Sequence, residues 1–290
     1  MDWDKVAELP HGEAKAEAIS EMKRQETEEF LEITRVLNIH LHPKVYLISQ
    51  PRLMSDALAE FQNDEDVAYQ MTSGVAAENL VEMAGRLCYM SFDKPRPGGN
   101  QAYLNHILEV GHGSVLEHAV FGMIFTGVSR SLTHELVRHR AGMSYSQLSQ
   151  RYVDEAECEF VLPPNITLGS EEYFEWTTFV RKARDTYTDL VEKLIGKDQG
   201  LNPADKTARR KKAREAARSV LPNCTATKIF VTGNARAWRN FIELRGSVHA
   251  DAEIQMLAVS VMKALRDAAP NIFGDYTLGH EGVQTTWKKV

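Results

Sequence analysis

Apolar residues recur at helical spacing along most of the chain, and strand character is confined to a few short stretches. Spacings of three and four residues predict helices that each bury one face. Such helices are predicted at residues 76–89, 102–110, 129–139, 171–197, 204–220, 235–244 and 250–268. Strands are predicted at residues 44–50, 121–128 and 226–232. Because helices dominate and do not alternate regularly with strands, the pattern predicts an α+β fold.

The first 43 residues differ from the rest of the chain. They are rich in Glu, Lys and Ala, and their apolar residues are too scattered for a broad hydrophobic face. We expect a solvated or edge-packed helix at residues 13–37, and the strand at residues 44–50 then opens the folded body. The predicted organisation is therefore an N-terminal helical extension, residues 1–43, and one domain, residues 44–290.

Composition limits the classes of function. Of the 290 residues 43% are hydrophobic, which is enough for a substantial core, and the formal net charge is −6. A general nucleic-acid binder is usually basic, so this class is not expected. No apolar run reaches the ~20 residues of a membrane span, and the N-terminus lacks the order of a signal peptide. The three cysteines form no CxxC pair. We therefore expect a cytoplasmic protein with reduced thiols and no membrane partner.

The segment over residues 138–152 is dense in hydrogen-bond donors and poor in apolar side chains. Between residues 121 and 160 every fixed cation is Arg, the side chain suited to forked bonding of phosphate. The basic triplet 138–140 alone could equally be the cationic end of a helix. Polar residues at 144, 146, 147, 149 and 151 follow, and an extended chain would align their donors on one face. Together these groups are costly to bury without an anionic partner.

A second polar cluster lies further along the chain, on the helix predicted at residues 235–244. Arg236 and Asn240 are four residues apart and so share one face of this helix. Asn234 is a candidate N-cap, Arg245 lies at or just past the end, and Arg218 ends the preceding helix. Apolar residues at 241, 242 and 244 imply partial burial, which favours a site over an ordinary surface helix.

Familiar cofactor and metal signatures are absent from the sequence. There is no GxGxxG of a Rossmann fold, no GxxxxGK[ST] and no HExxH. The histidines do not share a ligand spacing with carboxylates or thiols, so no metal site is expected. We interpret the basic run at residues 209–212 as a solvated helix face, and Cys224 as a structural thiol rather than a nucleophile.

These segments together resemble the flavin-dependent thymidylate synthases. The motifs that carry the resemblance lie at residues 112–118, 138–140, 146–152, 217–222, 234–245 and 252–254. The resemblance covers about residues 44–275. It implies that family's α+β fold, in which helices surround a small, mostly antiparallel sheet without a Rossmann motif. It also implies a homotetramer in which several subunits build each active site.

The resemblance implies a reaction as well. Deoxyuridylate (dUMP) is methylated at C5 to thymidylate (dTMP), methylenetetrahydrofolate supplies the carbon, and FAD reduced by NADPH supplies the hydride. An FAD-binding oxidase acting on another nucleotide is the alternative enzyme class. A non-enzymatic nucleotide- or RNA-binding module comes third.

Roles follow from the resemblance position by position. The positions implied for FAD are Ser114, Glu117, Arg138, His139, Arg140, Asn234, Arg236 and Asn240. Those implied for deoxyuridylate are Glu135, Arg138, Gln147, Ser149, Gln150, Arg151, Arg218 and Arg245. Arg245 is implied to be catalytic: a guanidinium beside the uracil ring stabilises developing charge without an enzyme thiolate.

The chain departs from the family signature in two places. Eight residues, 141–148, separate Arg140 from Ser149, one more than usual, and Gly142 is a candidate for absorbing the extra residue in a bulge. Gln147 stands where a glutamate is common, and we expect its amide to donate to the phosphate.

Overall fold

The computed structural model describes residues 13–196, 202–288 and 290, and all structural statements here concern these residues. They form two compact units. The helix-pair unit comprises the described residues of Met1–Leu41 and Ser149–Ala226. The sheet unit comprises His42–Leu148 and the described residues of Thr227–Val290. The predicted extension at residues 1–43 lies partly outside the described residues, and its separation from the domain at 44–290 stays a prediction.

Helices and short strands follow one another along both units. The strands are β1 (Ile39–His40), β2 (Lys44–Ser49), β3 (Val120–Ser129), β4 (Met143–Gln147), β5 (Phe160–Val161), β6 (Ala226–Asn234), β7 (Tyr276–Gly279) and β8 (Gly282–Thr285). The α-helices are α1 (Glu13–Val36), α2 (Ser55–Asp64), α3 (Ala76–Leu87), α4 (Gly99–Glu109), α5 (Arg130–Leu136), α6 (Glu171–Ile195), α7 (Pro203–Ala217), α8 (Ala235–Arg245), α9 (Ala252–Ala268) and α10 (Pro270–Phe273). Two 3₁₀ helices span Gly113–His118 and Arg218–Val220.

A four-stranded sheet in the order β2-β3-β6-β4 forms the centre of the sheet unit. Strand β2 pairs antiparallel with β3, and β4 pairs antiparallel with β6, where Tyr145 lies opposite Val231. Strands β7 and β8 form an antiparallel hairpin, and β1 pairs parallel with β5 in the helix-pair unit. The prediction of an α+β fold with a small, mostly antiparallel sheet is confirmed.

Helices pack on this sheet through the faces that the sequence pattern predicts. On β3, Phe121, Met123 and Phe125 are fully buried. The predicted apolar stripe of α9 is fully buried as well, at Ile254, Leu257, Val261 and Leu265. The indole N–H of Trp238 on α8 donates to the carbonyl of Phe121 at 3.2 Å. Helix α8 is thereby fixed against β3.

A buried ion pair anchors α8 on its other side. Arg239, 1% exposed, donates two hydrogen bonds to the carboxylate of Asp275, at 2.7 and 2.8 Å. It also donates to the carbonyl of Ile272 at 2.6 Å. Breaking a buried pair of this kind by removing one partner costs about 3–5 kcal/mol. The helix that carries the second polar cluster therefore has a well-determined position within the sheet unit.

The helix-pair unit is built on α6 and α7. Tyr173, Val180 and Tyr187 on α6 are fully buried. The strand pairing sets Ile39 opposite Phe160, and both residues belong to the same hydrophobic cluster as Tyr173. Residues 37–40, which fall within the predicted extension, thus contribute to the core of this unit. No helix in the described ranges is both long and apolar enough to cross a membrane.

Two details of the sequence prediction are wrong. The helix predicted at residues 129–139 ends at Leu136, because the next residues leave the helix and turn toward β4. The extended segment predicted over residues 144–151 ends at Gln147. Beyond it the amides of Tyr152 and Val153 both donate to the carbonyl of Ser149, which closes a turn. Ser149 and Arg151 therefore do not continue the face of the strand.

Candidate functional site

Helix α5 begins at a serine cap and delivers polar side chains from its last turn. The hydroxyl of Ser129 accepts from the amide of Leu132 at 3.0 Å and so caps the helix. After the helix, the hydroxyl of Tyr145 lies 3.0 Å from the carbonyl of Leu136 and 2.5 Å from that of His139. Burial raises the pKa of Tyr145 to about 12, so this hydroxyl is a fixed donor. It fixes the chain reversal at residues 137–142.

An arginine, a glutamate and a histidine meet at the end of α5. Arg245, the last residue of α8, donates from Nη1 to Glu135 Oε2 at 2.5 Å. Its Nε donates to His139 Nε2 at 3.0 Å. The Glu135 and Arg245 side chains are 24% and 23% exposed, so the pair is open to a ligand on one side. The third nitrogen of Arg245, Nη2, has no hydrogen-bond partner among the described residues.

Electrostatics sets the protonation states of this cluster. His139 must be unprotonated at Nε2 to accept from Arg245, and burial together with the Arg245 charge lowers the pKa of His139. Burial raises the pKa of Glu135, and the neighbouring carboxylate of Asp251 raises it further, while Arg245 and Arg138 act in the opposite direction. At neutral pH the Arg245 guanidinium therefore carries the fixed positive charge of the cluster. The neutral imidazole of His139 and the acidic side chain of Glu135 orient it.

Arg138 and Arg140, the other two members of the basic triplet, take no part in the hydrogen bonds of this cluster. Arg138 and Arg140 are exposed, and within the described part of the chain neither guanidinium forms a hydrogen bond or an ion pair. Both are free to bind an anion.

A pocket of about 650 Å³ lies beside the same loop. Its polar lining includes four positions that the resemblance implies for FAD: Glu117, Asn234, Arg236 and Asn240. Arg236 Nη1 donates to Glu117 Oε1 at 2.7 Å, and both side chains are 47% exposed. Ser114 is exposed and does not line the pocket, and neither do the residues of the basic triplet.

The inserted loop reaches this pocket through a glycine. Gly142 has φ +70°, and a Cβ at this position would lie 2.5 Å from Asn234 Nδ2. Asn234 itself caps α8, because its side chain accepts from the amide of Ala237 at 2.8 Å. Gly142 is therefore required both by backbone conformation and by the close approach of Asn234.

The side chain of Gln147 is oriented by threonine hydroxyls. Thr133 Oγ1 donates to the carbonyl of Arg130 at 2.9 Å, so its remaining capacity is to accept. Gln147 Nε2 donates to this oxygen at 3.2 Å and lies 3.4 Å from Thr227 Oγ1. The amide donor hydrogens thus point at protein groups. A ligand would meet the carbonyl oxygen, an acceptor, rather than the donor expected for a phosphate.

The turn after β4 belongs to the helix-pair unit and rests on α7. Arg151 Nε lies 2.8 Å from Glu215 Oε2, but its N–H is not aligned for a hydrogen bond with this carboxylate. Gln150 is 5% exposed, and its Nε2 has no partner among the described residues. Gln150 and Arg151 therefore each have a nitrogen without a well-formed hydrogen bond to the described residues. An anionic ligand would supply the missing acceptors.

Helix α7 holds this turn from the side of the basic run. Lys211 Nζ donates to the hydroxyl of Tyr152 at 2.7 Å, and Arg214 bonds Asp154 at 2.7 Å. Glu215 and Arg218 are three residues apart, so they lie on one side of the helix and its 3₁₀ extension. Arg151 is thus placed beside the turn that leads to Arg218. The contacts of Lys211 and Glu215 with this segment could not be predicted from the sequence, because they are tertiary.

The structure brings together part of the predicted site within each unit. In the sheet unit Glu135, His139 and Arg245 are in contact, and four of the predicted FAD positions surround one pocket. In the helix-pair unit the turn that carries Ser149, Gln150 and Arg151 packs on α7 near Arg218. In the sheet unit, Asp251 interacts with Glu135, and Glu253 bonds Ser129. Asp251 was not singled out from the sequence, and Glu253 was named only within the motif at residues 252–254, because both look like ordinary acids at a helix start.

Comparison with known proteins points to one family. A family model described as thymidylate synthase complementing protein matches residues 70–271. The chain is 48% identical over 231 residues to the flavin-dependent thymidylate synthase of Mycobacterium sp. (strain JLS), which is 78% of this chain and 90% of that protein. The enzyme of the same name from Mycolicibacterium vanbaalenii is 48% identical over 235 residues, 80% of this chain and 92% of that protein. The one from Mycobacteroides abscessus is 53% identical over 205 residues, 69% of this chain and 79% of that protein.

Proposed function

Because the chain belongs to the thymidylate synthase complementing protein family, we propose that it is a flavin-dependent thymidylate synthase. The reaction is the reductive methylation of deoxyuridylate at C5 to thymidylate. The extent of the match supports this, since the similarity covers most of this chain and most of each relative.

The finer chemistry is part of the same proposal. Methylenetetrahydrofolate supplies the methylene carbon, and the reduced flavin supplies the hydride that completes the methyl group. The C5 hydrogen of the uracil leaves as a proton, and tetrahydrofolate and NADP⁺ are the co-products because NADPH is the reductant.

The pocket beside the inserted loop fits a flavin in size and in chemistry. Its volume of about 650 Å³ lies within the ~300–1,000 Å³ of small-molecule sites. Arg236 and the amides of Asn234 and Asn240 offer donors, and Glu117 holds Arg236 in place. We assign FAD to this pocket, with Ser114 and the exposed charges of Arg138 and Arg140 contributing from its surroundings. His139 belongs to the same loop.

One observation carries the assignment of the catalytic group: Arg245 is held at two nitrogens, and its third has no partner among the described residues. Glu135 and His139 fix the plane of its guanidinium. The free Nη2 can then donate to a uracil oxygen as negative charge develops there, which makes C5 nucleophilic. Donors fixed before the reaction need no reorganisation, so this arrangement replaces the activation that an enzyme thiolate would give.

The nucleotide site is assigned to residues from several segments of the chain. We propose that the deoxyuridylate site consists of Glu135, Arg138, Gln147, Ser149, Gln150, Arg151, Arg218 and Arg245. The unpartnered Nε2 of Gln150 and the poorly aligned Nε of Arg151 support anion binding at the turn. The carbonyl oxygen of Gln147 suits an N–H or O–H of the nucleotide rather than its phosphate.

The organisation of the protein completes the proposal. Residues 44–290 act as the synthase domain, the protein is cytoplasmic, and it works as a homotetramer whose subunits share active sites. Support for the tetramer is the resemblance of the motifs that carry the site.

The experiment is an assay of the purified protein. It is expected to be yellow, to lose its flavin absorbance under NADPH without oxygen, and to form thymidylate from deoxyuridylate and methylenetetrahydrofolate. Bleaching without thymidylate would favour an oxidase acting on another nucleotide. A colourless protein that does not take up FAD would contradict the proposal.

A further inference from the structure

We propose that Glu253 is a positioning residue for Arg245, acting through Ser129 and the short helix α5. The inference rests on the proposed function, because it concerns the guanidinium that we assign to the uracil ring.

The contacts of Glu253 form a directed chain of hydrogen bonds. Glu253 Oε1 accepts from the amide of Ser129 at 2.7 Å, and Oε2 accepts from its hydroxyl at 2.6 Å. The same hydroxyl accepts from the amide of Leu132 at 3.0 Å. Since a backbone N–H can only donate, the single hydroxyl proton must go to Glu253. Both terminal side-chain atoms of residue 253 must therefore accept hydrogen bonds. A carboxylate has two acceptor oxygens, whereas an amide has only one.

Helix α5 transmits a shift at Ser129 to the residues of its last turn. It has seven residues, fewer than two turns, and a helix of this length is not stable by itself. Its position therefore depends on how its ends are held. Glu253 holds the first end at Ser129, and Glu135 in the last turn holds Arg245. A shift at Ser129 is carried along about 10 Å of helix to Glu135.

The first turn of α9 engages both ends of α5. Glu253 is the second residue of α9, and Asp251, the residue before the helix, interacts with Glu135. The amide end of a 17-residue helix stabilises an anion at this place. No cation pairs with Glu253 within the described ranges, and burial raises its pKa while the Ser129 bonds lower it.

The test is the variant Glu253→Gln in the full-length holoenzyme. Its amide nitrogen would face the Ser129 hydroxyl oxygen, which already accepts from the amide of Leu132. The hydroxyl would then lose the acceptor that Glu253 provides. We expect kcat for thymidylate formation to fall about ten- to a hundredfold, the scale of an ångström-sized misplacement. Flavin content, the rate of bleaching by NADPH and the KM for NADPH should stay at the wild-type values.

A background variant shows whether the effect passes through Arg245. In Arg245→Lys, which retains a cation but loses the fork, Glu253→Gln should lower kcat by a clearly smaller factor than in the wild type. Residues that act as one unit show such non-additivity. Equal factors in the two backgrounds would overturn the proposal.

A matched control is Glu78→Gln in the same unit. Glu78 is 1% exposed and its carboxylate accepts from the amide and the side chain of Asn271, at 2.7 and 2.9 Å. This variant should lower the melting temperature and leave kcat unchanged. If Glu253→Gln behaves in the same way, Glu253 is only structural and the proposal is wrong. Absence of thymidylate formation by the wild type would instead contradict the proposed function.

A second pair of variants applies if Glu253→Gln does not fold. Ser129→Thr keeps the hydroxyl and the cap, and Ser129→Ala removes the hydroxyl but keeps the amide bond to Glu253. We expect kcat of the threonine variant to remain above that of the alanine variant, with equal flavin content in both. An alanine variant with the kcat of the wild type would overturn the proposal.

Discussion

At the scale of single residues, the contacts of Arg245 change the interpretation of its neighbours. The resemblance assigns His139 to the flavin, but its Nε2 accepts from Arg245 Nε at 3.0 Å. Glu135, implied for the nucleotide, binds the same guanidinium. The resemblance predicts that these groups belong to one site. They do not indicate which group bonds which, because those contacts join segments about a hundred residues apart.

Replacement of Arg245 by alanine tests its catalytic role. Arg245→Ala removes the donor assigned to the uracil oxygen, and we expect kcat for thymidylate formation to fall about 10²–10³-fold. Flavin content should remain unchanged, since Arg245 does not line the flavin pocket. Arg266→Ala, an exposed arginine on α9, is the control and should have no effect. Loss of FAD together with activity would contradict the assignment.

The protonation of His139 predicts an acid limit to activity. Its pKa is lowered from 6.5, so the imidazole accepts from Arg245 above this range and is protonated as the pH falls below it. Protonation would break the hydrogen bond and place two cations together, so kcat should decline toward acid pH. Because the unfolded chain binds this proton more readily, stability should also fall as the pH drops through 6.5 toward the lower folded pKa.

The variant His139→Gln shows how much of the decline of kcat toward acid pH is due to protonation of His139. Its carbonyl oxygen can accept from Arg245 Nε at every pH, so the part of the acid decline due to His139 should disappear. The charged groups nearby, Arg138, Glu135 and Asp251, remain in both proteins. A pH profile of kcat that is unchanged in the variant would show that His139 does not set the limit.

At the scale of elements, a helix or strand could be predicted from the sequence where it buries an apolar face in the core. The helix predicted at residues 250–268 is observed as Ala252–Ala268, because its apolar stripe faces the core. Helix α2 has no buried residues among its ten, so no periodic pattern marks it. Strands β1 and β5 have two residues each, too few for a period to show. The hairpin of β7 and β8 is stabilised by Tyr276 and Asp275 contacting Arg239, which local sequence does not reveal.

Replacement of Gly142, in the turn before β4, is predicted to lower both stability and flavin content. Alanine there would adopt φ +70° and push against Asn234, whereas alanine at Gly111, φ +74°, meets nothing within 4 Å. Both variants should lose about 1–2 kcal/mol from the left-handed backbone. Only Gly142→Ala should also lower the flavin-to-protein absorbance ratio. Equal flavin content in the two variants would contradict the placement of Asn234 in the flavin pocket.

Strand β4 predicts the polarity of the Gln147 contact. Gln147→Glu keeps an acceptor toward the ligand, and its second oxygen can accept from the Thr227 hydroxyl once that hydroxyl rotates to donate. The KM for deoxyuridylate should therefore change less than about threefold in this variant. In Gln147→Leu it should rise up to about tenfold, the scale of one hydrogen bond. If Gln147 instead donates to the phosphate, the glutamate variant would repel it and show the larger rise. Steady-state kinetics with varied deoxyuridylate decides between the two.

At the scale of the whole molecule, the assignment joins groups from four segments of the chain. Arg138 and Arg245 belong to the sheet unit, and Arg151 and Arg218 belong to the helix-pair unit. The resemblance predicts that all four serve one nucleotide, and this stays a prediction. Sequence alone does not indicate whether one protomer or several supply them, because a motif carries no information on which subunit it faces.

The most direct measurement is an experimental structure of the assembled protein with FAD and deoxyuridylate bound. It should place Arg245 within hydrogen-bonding distance of a uracil oxygen, with Arg151 and Arg218 at the phosphate and Arg138 near both ligands. Any protomer of the assembly can supply each of these residues. A bound deoxyuridylate whose ring lies away from Arg245, or whose phosphate contacts neither Arg151 nor Arg218, would contradict the account.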